Sequence, residues 1–414
     1  MSTTPGSTSH ELPERAPRRE ARVLTLNGGS SSIKFALFEP GEPPLRIRSG
    51  AVERVGTPEC RLRATGRNQP DIRRPLLATD LTEAVAGVLD WLTEIDELHL
   101  VTAIGHRIVH GGPVHTEPQI ITPELLADLR DVTSLAPAHL PAEIQLIEAL
   151  LQRLPGVPQF ACFDTAFHRD LPLPARLLPI PRHYAQTGVR RYGFHGLSYT
   201  YLLGEYKRLA GAAAATGRIV LAHLGSGASL AAVCGGRCID TTMGMTPAGG
   251  LVMGTRTGDI DPGLLVYLAR TGSLSAEELD DLVTRRSGLL GISETTADMR
   301  ELLDQQATDP RAADAVEIFC YQARKWIGAL AAAMGGLEAI VFSGGIGEFA
   351  PEVRARICSG LGFLGVLIDS PANNANASTI SAADSTVSVR VIPTDEELMI
   401  ARTVFQLRGS AAQP

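Results

Sequence analysis

The sequence predicts an α/β protein made of two halves of like architecture, and three observations predict it. Apolar runs of strand length alternate with longer stretches of helical period along the chain. A strand, a Gly/Ser-rich turn and a second strand occur twice, in "LTLNGGSSSIKF" (residues 24–35) and "RIVLAHLGSGASLAAVCGGR" (218–237). The length of 414 residues, 44% of them hydrophobic, suffices for two large cores. Set without gaps, Gly28 falls on Gly225, Ser32 on Ser229 and Ile33 on Leu230, so the halves match in punctuation more than in letters.

Strands are predicted at "VLTLN" (23–27), "IKFALFE" (33–39) and the alternating "LRIRSGAVERV" (45–55). A helix follows at "DLTEAVAGVLDWL", with Leu81, Ala84, Val85, Val88, Leu89 and Leu92 on one face. "HLVTAIGH" is the next strand, helices are expected at 123–134 and 141–154, and "PQFACFD" is a short apolar strand ending on Asp164. After the Pro-rich "LPLPARLLPIPRHY" the pattern restarts. Trp326 to Gly345 contains Glu338 and several glycines, so it reads as a buried helix running into a strand, not as a membrane span. "AIVFSGGIGEF" (339–349) leads towards the helix-like "PEVRARICSGL", whose N-terminus would favour an anion. "VSVRVIP" is the last strand. Thr394 and Glu397 then form a capping box for the final helix, placing Asp395 and Glu396 in its first turn.

The 38 basic and 45 acidic residues give a net charge of −7, so no global field draws in nucleic acid or an acidic membrane. The six cysteines are scattered and read as reduced thiols, the Cys234/Cys238 pair being a turn between strands. Residues 1–20 are polar, lack an apolar segment that could direct secretion, and are expected to form a disordered extension. A cytoplasmic location follows as an expectation.

Two-residue turns join strands well, so a connection spending Gly28, Gly29, Ser30, Ser31 and Ser32 offers exposed amides and hydroxyls. Such a turn cradles a phosphate, and Lys34 adds charge; a mobile surface loop is the bland alternative. Neither GxxxxGK[ST] nor a complete GxGxxG is present. Four further clusters stand out: "GHRIVHGG" (105–112), "ACFDTAFH" (161–168), "RRYGFHG" (190–196) and "GTRTGDIDPG" (254–263). Each alone has a structural explanation. Together they supply two guanidinium groups, an imidazole and a carboxylate, the equipment for moving a phosphoryl group between anions.

These clusters, with "HLGSGAS", "SGLLGIS", "GGIGE" and "PTDEELMIAR" in the same order, resemble the acetate kinase family, of the superfamily that includes sugar kinases, actin and the heat-shock chaperone ATPases. The resemblance runs from about Val23 to about Phe405. It implies two ribonuclease-H-like (βββαβαβα) domains facing across a nucleotide cleft, residues 21–165 with 397–410 and residues 166–396, and a homodimer. By similarity, Arg107 and Arg256 bind the acetate carboxylate and the moving phosphoryl group, and His195 steadies charge on that group, with His139 nearby. Asn27, Asp164 and Glu396 would hold Mg²⁺ or Mn²⁺. ATP or ADP would contact Ser30, Ser32, Lys34, His223, Leu224, Gly225, Ser226, Gly227, Asp298, Met299, Arg300, Gly345, Ile346 and Gly347.

The implied acyl pocket is Val109, Ala138, Phe194 and Pro247. Ala138 replaces a usual Leu, which opens the pocket towards propionate. Further departures are Ser226, Gly249 and Phe349, which bear on the phosphoryl donor, and Leu197 and Tyr199 after the "FHG" turn. Two alternatives stand beside acetate: another short-chain carboxylate such as propionate or butyrate, and an actin- or chaperone-like conformational ATPase.

Overall fold

A computed structural model describes residues 21–29, 31–67 and 69–411; the predicted extension at 1–20 and the phosphate-site candidate Ser30 lie outside the described residues. The first half forms β1 (Arg22–Gly28), β2 (Ser32–Glu39), β3 (Leu45–Glu53), β4 (Arg61–Gly66), β5 (Gln69–Pro75), β6 (Val101–Ile108), β7 (Gln119–Ile120) and β8 (Gln159–Phe163). They make one sheet in the order β5-β4-β3-β2-β1-β6-β8-β7. The second half forms β9 (Ile219–Leu224), β10 (Ala228–Cys234), β11 (Arg237–Thr241), β12 (Ala339–Ser343) and β13 (Ser388–Val391), in the order β11-β10-β9-β12-β13.

With the edge strands β4, β5 and β7 set aside, both sheets have one order: third, second, first, fourth, fifth. In both, the first three strands are antiparallel, joined by short turns, and the last two run parallel to the first. Parallel neighbours need a long crossover, which the helices Leu81–Glu94 and Pro310–Met334 supply. The punctuation repeat is therefore a repeat of fold. The strands β4 and β5 escaped the sequence reading because they carry arginines on their outward face and extend the sheet edge, where polar residues are tolerated.

The helix Glu396–Ala411 leaves the second half and packs on the first sheet, burying Ile400, Ala401 and Val404 against Val23, Ala103, Phe160 and Cys162. Gly105 permits this approach, since a Cβ there would lie 2.4 Å from a methyl of Ile400. The predicted capping box is corrected. Asp395, not Thr394, caps this helix, its carboxylate accepting from the Leu398 amide at 2.9 Å, while the Thr394 hydroxyl donates instead to Ser198 at 2.8 Å, on the helix Gly196–Ala210 of the second half. The Gly/Ser connection is also shorter than expected, because Gly28 already pairs with Ile33 in the ladder. "GGIGEF" is itself helical, from Gly344 to Phe349. Among the described residues no helix is long and apolar enough to cross a membrane, and all six cysteines are free thiols.

Candidate active site

The carboxyl ends of parallel strands, where side chains emerge beyond the ladder, are the usual place for a ligand in an open α/β sheet. Here β6 delivers Arg107 at its end and β8 delivers Asp164 one residue past its own. Arg107 donates from Nε and Nη2 to Asp164 Oδ2 at 3.0 and 2.5 Å, and from Nη1 to Asn27 Oδ1 at 3.1 Å. Asn27 in turn donates from Nδ2 to Glu396 Oε2 at 3.0 Å, which fixes the orientation of its amide. Four residues from four distant stretches thus form one hydrogen-bonded group.

Burial works against the charge of Arg107, but Asp164 and then Glu396 outweigh it and raise its pKa. Asp164 is fully buried, and its Oδ1 has no hydrogen-bond partner. Burial pushes this carboxyl up, Arg107 opposing and Glu396 adding to the rise. An orphaned carboxylate oxygen beside a second carboxylate and an amide oxygen is a hard-oxygen donor set of the kind Mg²⁺ takes. The residues present fit the implied cation.

The second half contributes His195, Arg256 and the β9–β10 turn. His195 caps the helix Gly196–Ala210 with its backbone left-handed at φ 60°, a conformation that costs a non-glycine residue energy and turns the ring into the cleft. A Cβ at Gly227 would lie 3.0 Å from Arg256 Nη2 and 3.1 Å from His195 Nε2, so both groups crowd the phosphate-type turn. Arg256 donates to the Pro247 carbonyl at 2.7 Å and has no carboxylate partner among the described residues. Burial, and then Arg107, lower its pKa to about 10. His195 is held well below its ordinary value by burial first and then by His223, Arg107 and Arg256, and its ring stacks on His223 at 4.4 Å. His139 falls to about 4, through burial and the same two arginines.

Ala138, His139, Pro247 and Arg256 line one cavity of about 330 Å³. Ala138 is on its exposed side, whereas Val109 and Phe194 are packed in the core behind and are not among its lining residues. Leu224, Gly225, Ser226 and Gly227 form the end of β9 and its turn, where the Gly225 amide donates to the Gly227 carbonyl at 3.0 Å. Ser32 begins β2, and Lys34 is exposed; His223 is held below its ordinary value by burial first, with Arg107 and then Lys34 adding to the fall and Glu396 opposing it. Gly345, Ile346 and Gly347 lie in the helix after β12. Asp298 caps the helix Met299–Gln305 and pairs with Arg300, while Met299 is buried. This group adjoins Ser226 through Gly254, whose amide donates to the Ser226 carbonyl at 3.0 Å and whose Cα faces Ala297.

Glu143 escaped the sequence reading. It falls on the apolar stripe of Leu140, Ile144, Ile147 and Leu150, and that misplaced charge was the available signal. It is 2% exposed, accepts from the Val109 amide at 3.0 Å through Oε2, and leaves Oε1 unpartnered. Burial raises its pKa to about 8, Arg107 and the Val109 hydrogen bond opposing. Between its unfolded value near 4.5 and about 8 the folded chain therefore holds a proton that the unfolded chain has released, so stability falls as pH rises across that window. Thermal melts of Glu143→Gln, which keeps an acceptor for Val109, should show a flatter decline of Tm from pH 5 to 8 than the wild type. Parallel curves would mean that Glu143 is ionised throughout.

Fold and site together define a kinase of the actin-like ATPase fold. The chain belongs to the acetokinase family, whose model matches residues 22–402. It is 47% identical over 392 residues to an acetate kinase of Rhodopseudomonas palustris, covering 93% of this chain and 98% of the relative. It is 41% identical over 400 residues to the Bacillus subtilis acetate kinase, with 94% and 99% covered. Among solved structures it resembles Porphyromonas gingivalis acetate kinase (TM-score 0.85, 37% identity, 94% of this chain and 100% of that one). It also resembles a propionate kinase from Francisella tularensis (TM-score 0.87, 37% identity, 92% and 98%).

Proposed function

We propose that the chain transfers the γ-phosphoryl group of ATP to acetate, reversibly, giving acetyl phosphate and ADP. The observation that carries this reading is Arg256: a half-buried guanidinium beside Arg107, with no carboxylate partner among the described residues, requires an anion. An acetate oxygen attacks the γ-phosphorus in line, its O–P bond forming as the bond to the bridging oxygen breaks and the electron pair leaves with ADP. Acetate is ionised at neutral pH, so no general base is needed. Arg107 and Arg256 hold the carboxylate and the moving phosphoryl group, and His195 faces its equatorial oxygens. Asn27, Asp164 and Glu396 would hold Mg²⁺, whose charge would offset that of the nucleotide phosphates.

The β9–β10 turn with Ser32 and Lys34, the residues 298–300 and the helix start at 345–347 bind the nucleotide. The two sheets belong to two domains, 21–165 with 397–410 and 166–396, that close on it. Exposed Leu264, Val266 and Tyr267 on the helix Pro262–Thr271 support a homodimer, and six free thiols support a cytoplasmic location. Incubation with ATP, Mg²⁺ and acetate should yield acyl phosphate, trapped by hydroxylamine as the hydroxamate. ATP consumption that is equal with and without the carboxylate would sink the kinase reading in favour of a conformational ATPase.

Ala138 on the cavity wall favours a second acceptor. Replacing a usual Leu, it gives a longer acid room to bury a methylene, worth about 0.8 kcal/mol or roughly fourfold in binding. Propionate should then match acetate in kcat/KM to within about tenfold, and Ala138→Leu should shift preference towards acetate. A wild type that rejects propionate by about a hundredfold, with Ala138→Leu changing nothing, would remove Ala138 from the specificity wall.

A further inference from the structure

Behind His195 the interior holds a short file of hydroxyls. Ser229 Oγ, on β10, lies 2.8 Å from His195 Nδ1 and 2.5 Å from Tyr199 Oη, one turn along the helix that His195 caps. Ser229 and Tyr199 are fully buried. Among the described residues, neither hydroxyl has a hydrogen-bond partner beyond these.

The protons can be counted. The neutral ring carries one N–H, and Ser229 and Tyr199 carry one O–H each. If Tyr199 donates to Ser229 and Ser229 donates to Nδ1, both hydroxyl protons have acceptors, and the ring proton sits on Nε2, facing Gly227 and Arg256. If instead Nδ1 carries the proton and donates to Ser229, the two hydroxyls retain one acceptor between them. One buried O–H is then left without a partner, a cost the first arrangement avoids.

We propose that Tyr199 and Ser229 form a hydroxyl relay that holds the proton of His195 on Nε2, so that the ring presents a fixed N–H donor to the transferring phosphoryl group. Tyr199 and Ser229 are positioning residues, and His195 is the catalytic one. Its low proton affinity keeps the ring neutral, so that the tautomer decides what the ring offers. The construction recurs beside it. His223 Nδ1 lies 2.9 Å from the buried Ser198 hydroxyl, which in turn accepts from Thr394 Oγ1 at 2.8 Å. Two stacked imidazoles are thus each backed on Nδ1 by a serine with a second hydroxyl behind it.

Only the last step, donation to a phosphoryl oxygen, rests on the kinase reading; the position of the proton does not. The test uses protein labelled with ¹⁵N-histidine and multiple-bond ¹H–¹⁵N spectra, with His195 assigned by its absence in His195→Gln. The wild type should show Nε2 protonated and Nδ1 bare between about pH 6 and 8, the range in which an ordinary histidine titrates. Tyr199→Phe keeps the ring volume and frees Ser229 to donate or accept, so a mixture of tautomers should appear. Its kcat should fall about tenfold, less than the about hundredfold or more that follows from losing such a donor outright, with both KM values within about twofold. A wild-type spectrum with the proton on Nδ1 overturns the relay without any variant. So does a Tyr199→Phe enzyme with the wild-type tautomer and an unchanged kcat. Because the spectrum is read without turnover, failure of the relay and failure of the kinase reading are separate results.

Discussion

Arg107→Ala and Arg256→Ala should each lower kcat by about 10³-fold or more, the scale on which an arginine serves a transferring phosphoryl group. Their effects on stability should differ. Arg107 is the partner of Asp164, whose carboxylate is fully buried, so its removal strands a charge in the interior at a cost of about 3–5 kcal/mol unless the carboxyl takes up a proton. Arg256 has no carboxylate to strand among the described residues and stands against the charge of Arg107, so Arg256→Ala should keep or raise Tm. Steady-state kinetics with a thermal melt of each variant give both readouts. Two inactive variants with equally lowered Tm would contradict the view that Arg256 is held uncompensated for a ligand anion.

Asp164→Asn should lower kcat comparably and move the Mg²⁺ midpoint upwards by more than about tenfold, because a neutral amide replaces a hard anionic ligand. The two carboxylate oxygens have separate tasks. Oδ2 takes both hydrogen bonds from Arg107, and Oδ1 is buried and free. An asparagine whose oxygen faces Arg107 keeps the first task and turns an NH₂ into the metal's place, so the cation dependence should suffer even where Arg107 stays ordered. Titration of activity with Mg²⁺ at saturating ATP separates the two. A wild-type midpoint in Asp164→Asn would take Asp164 out of the metal site and leave it as an anchor for Arg107 alone.

Arg107, Arg256, His195, Asp164 and Glu396 stood out as candidates because each is in a short motif whose local backbone makes it conspicuous: a strand end, a glycine turn or a helix start. Glu143 and the Ser229–Tyr199 pair were not. Glu143 is one acid on an otherwise ordinary amphipathic helix, and Tyr199 was visible only as a departure from the family pattern. Even the expected capping box failed for the same reason, since Thr394 had a better partner in Ser198, 196 residues away.

By itself the sequence determined the alternation of strands and helices, the duplication of the strand–turn–strand unit and the family, because periodicity, turn chemistry and motif order are written over a few neighbouring residues. Only the tertiary structure decided who partners whom. It brought Glu396 to Asn27 across 369 residues and gave Arg107 its carboxylate, while Arg256 has none among the described residues. It also buried Glu143 and closed the file from Tyr199 to His195. Partnership and burial depend on packing between distant segments, where the energy of a polar atom is set by what else shares its dry surroundings, and that is not a local property of the chain.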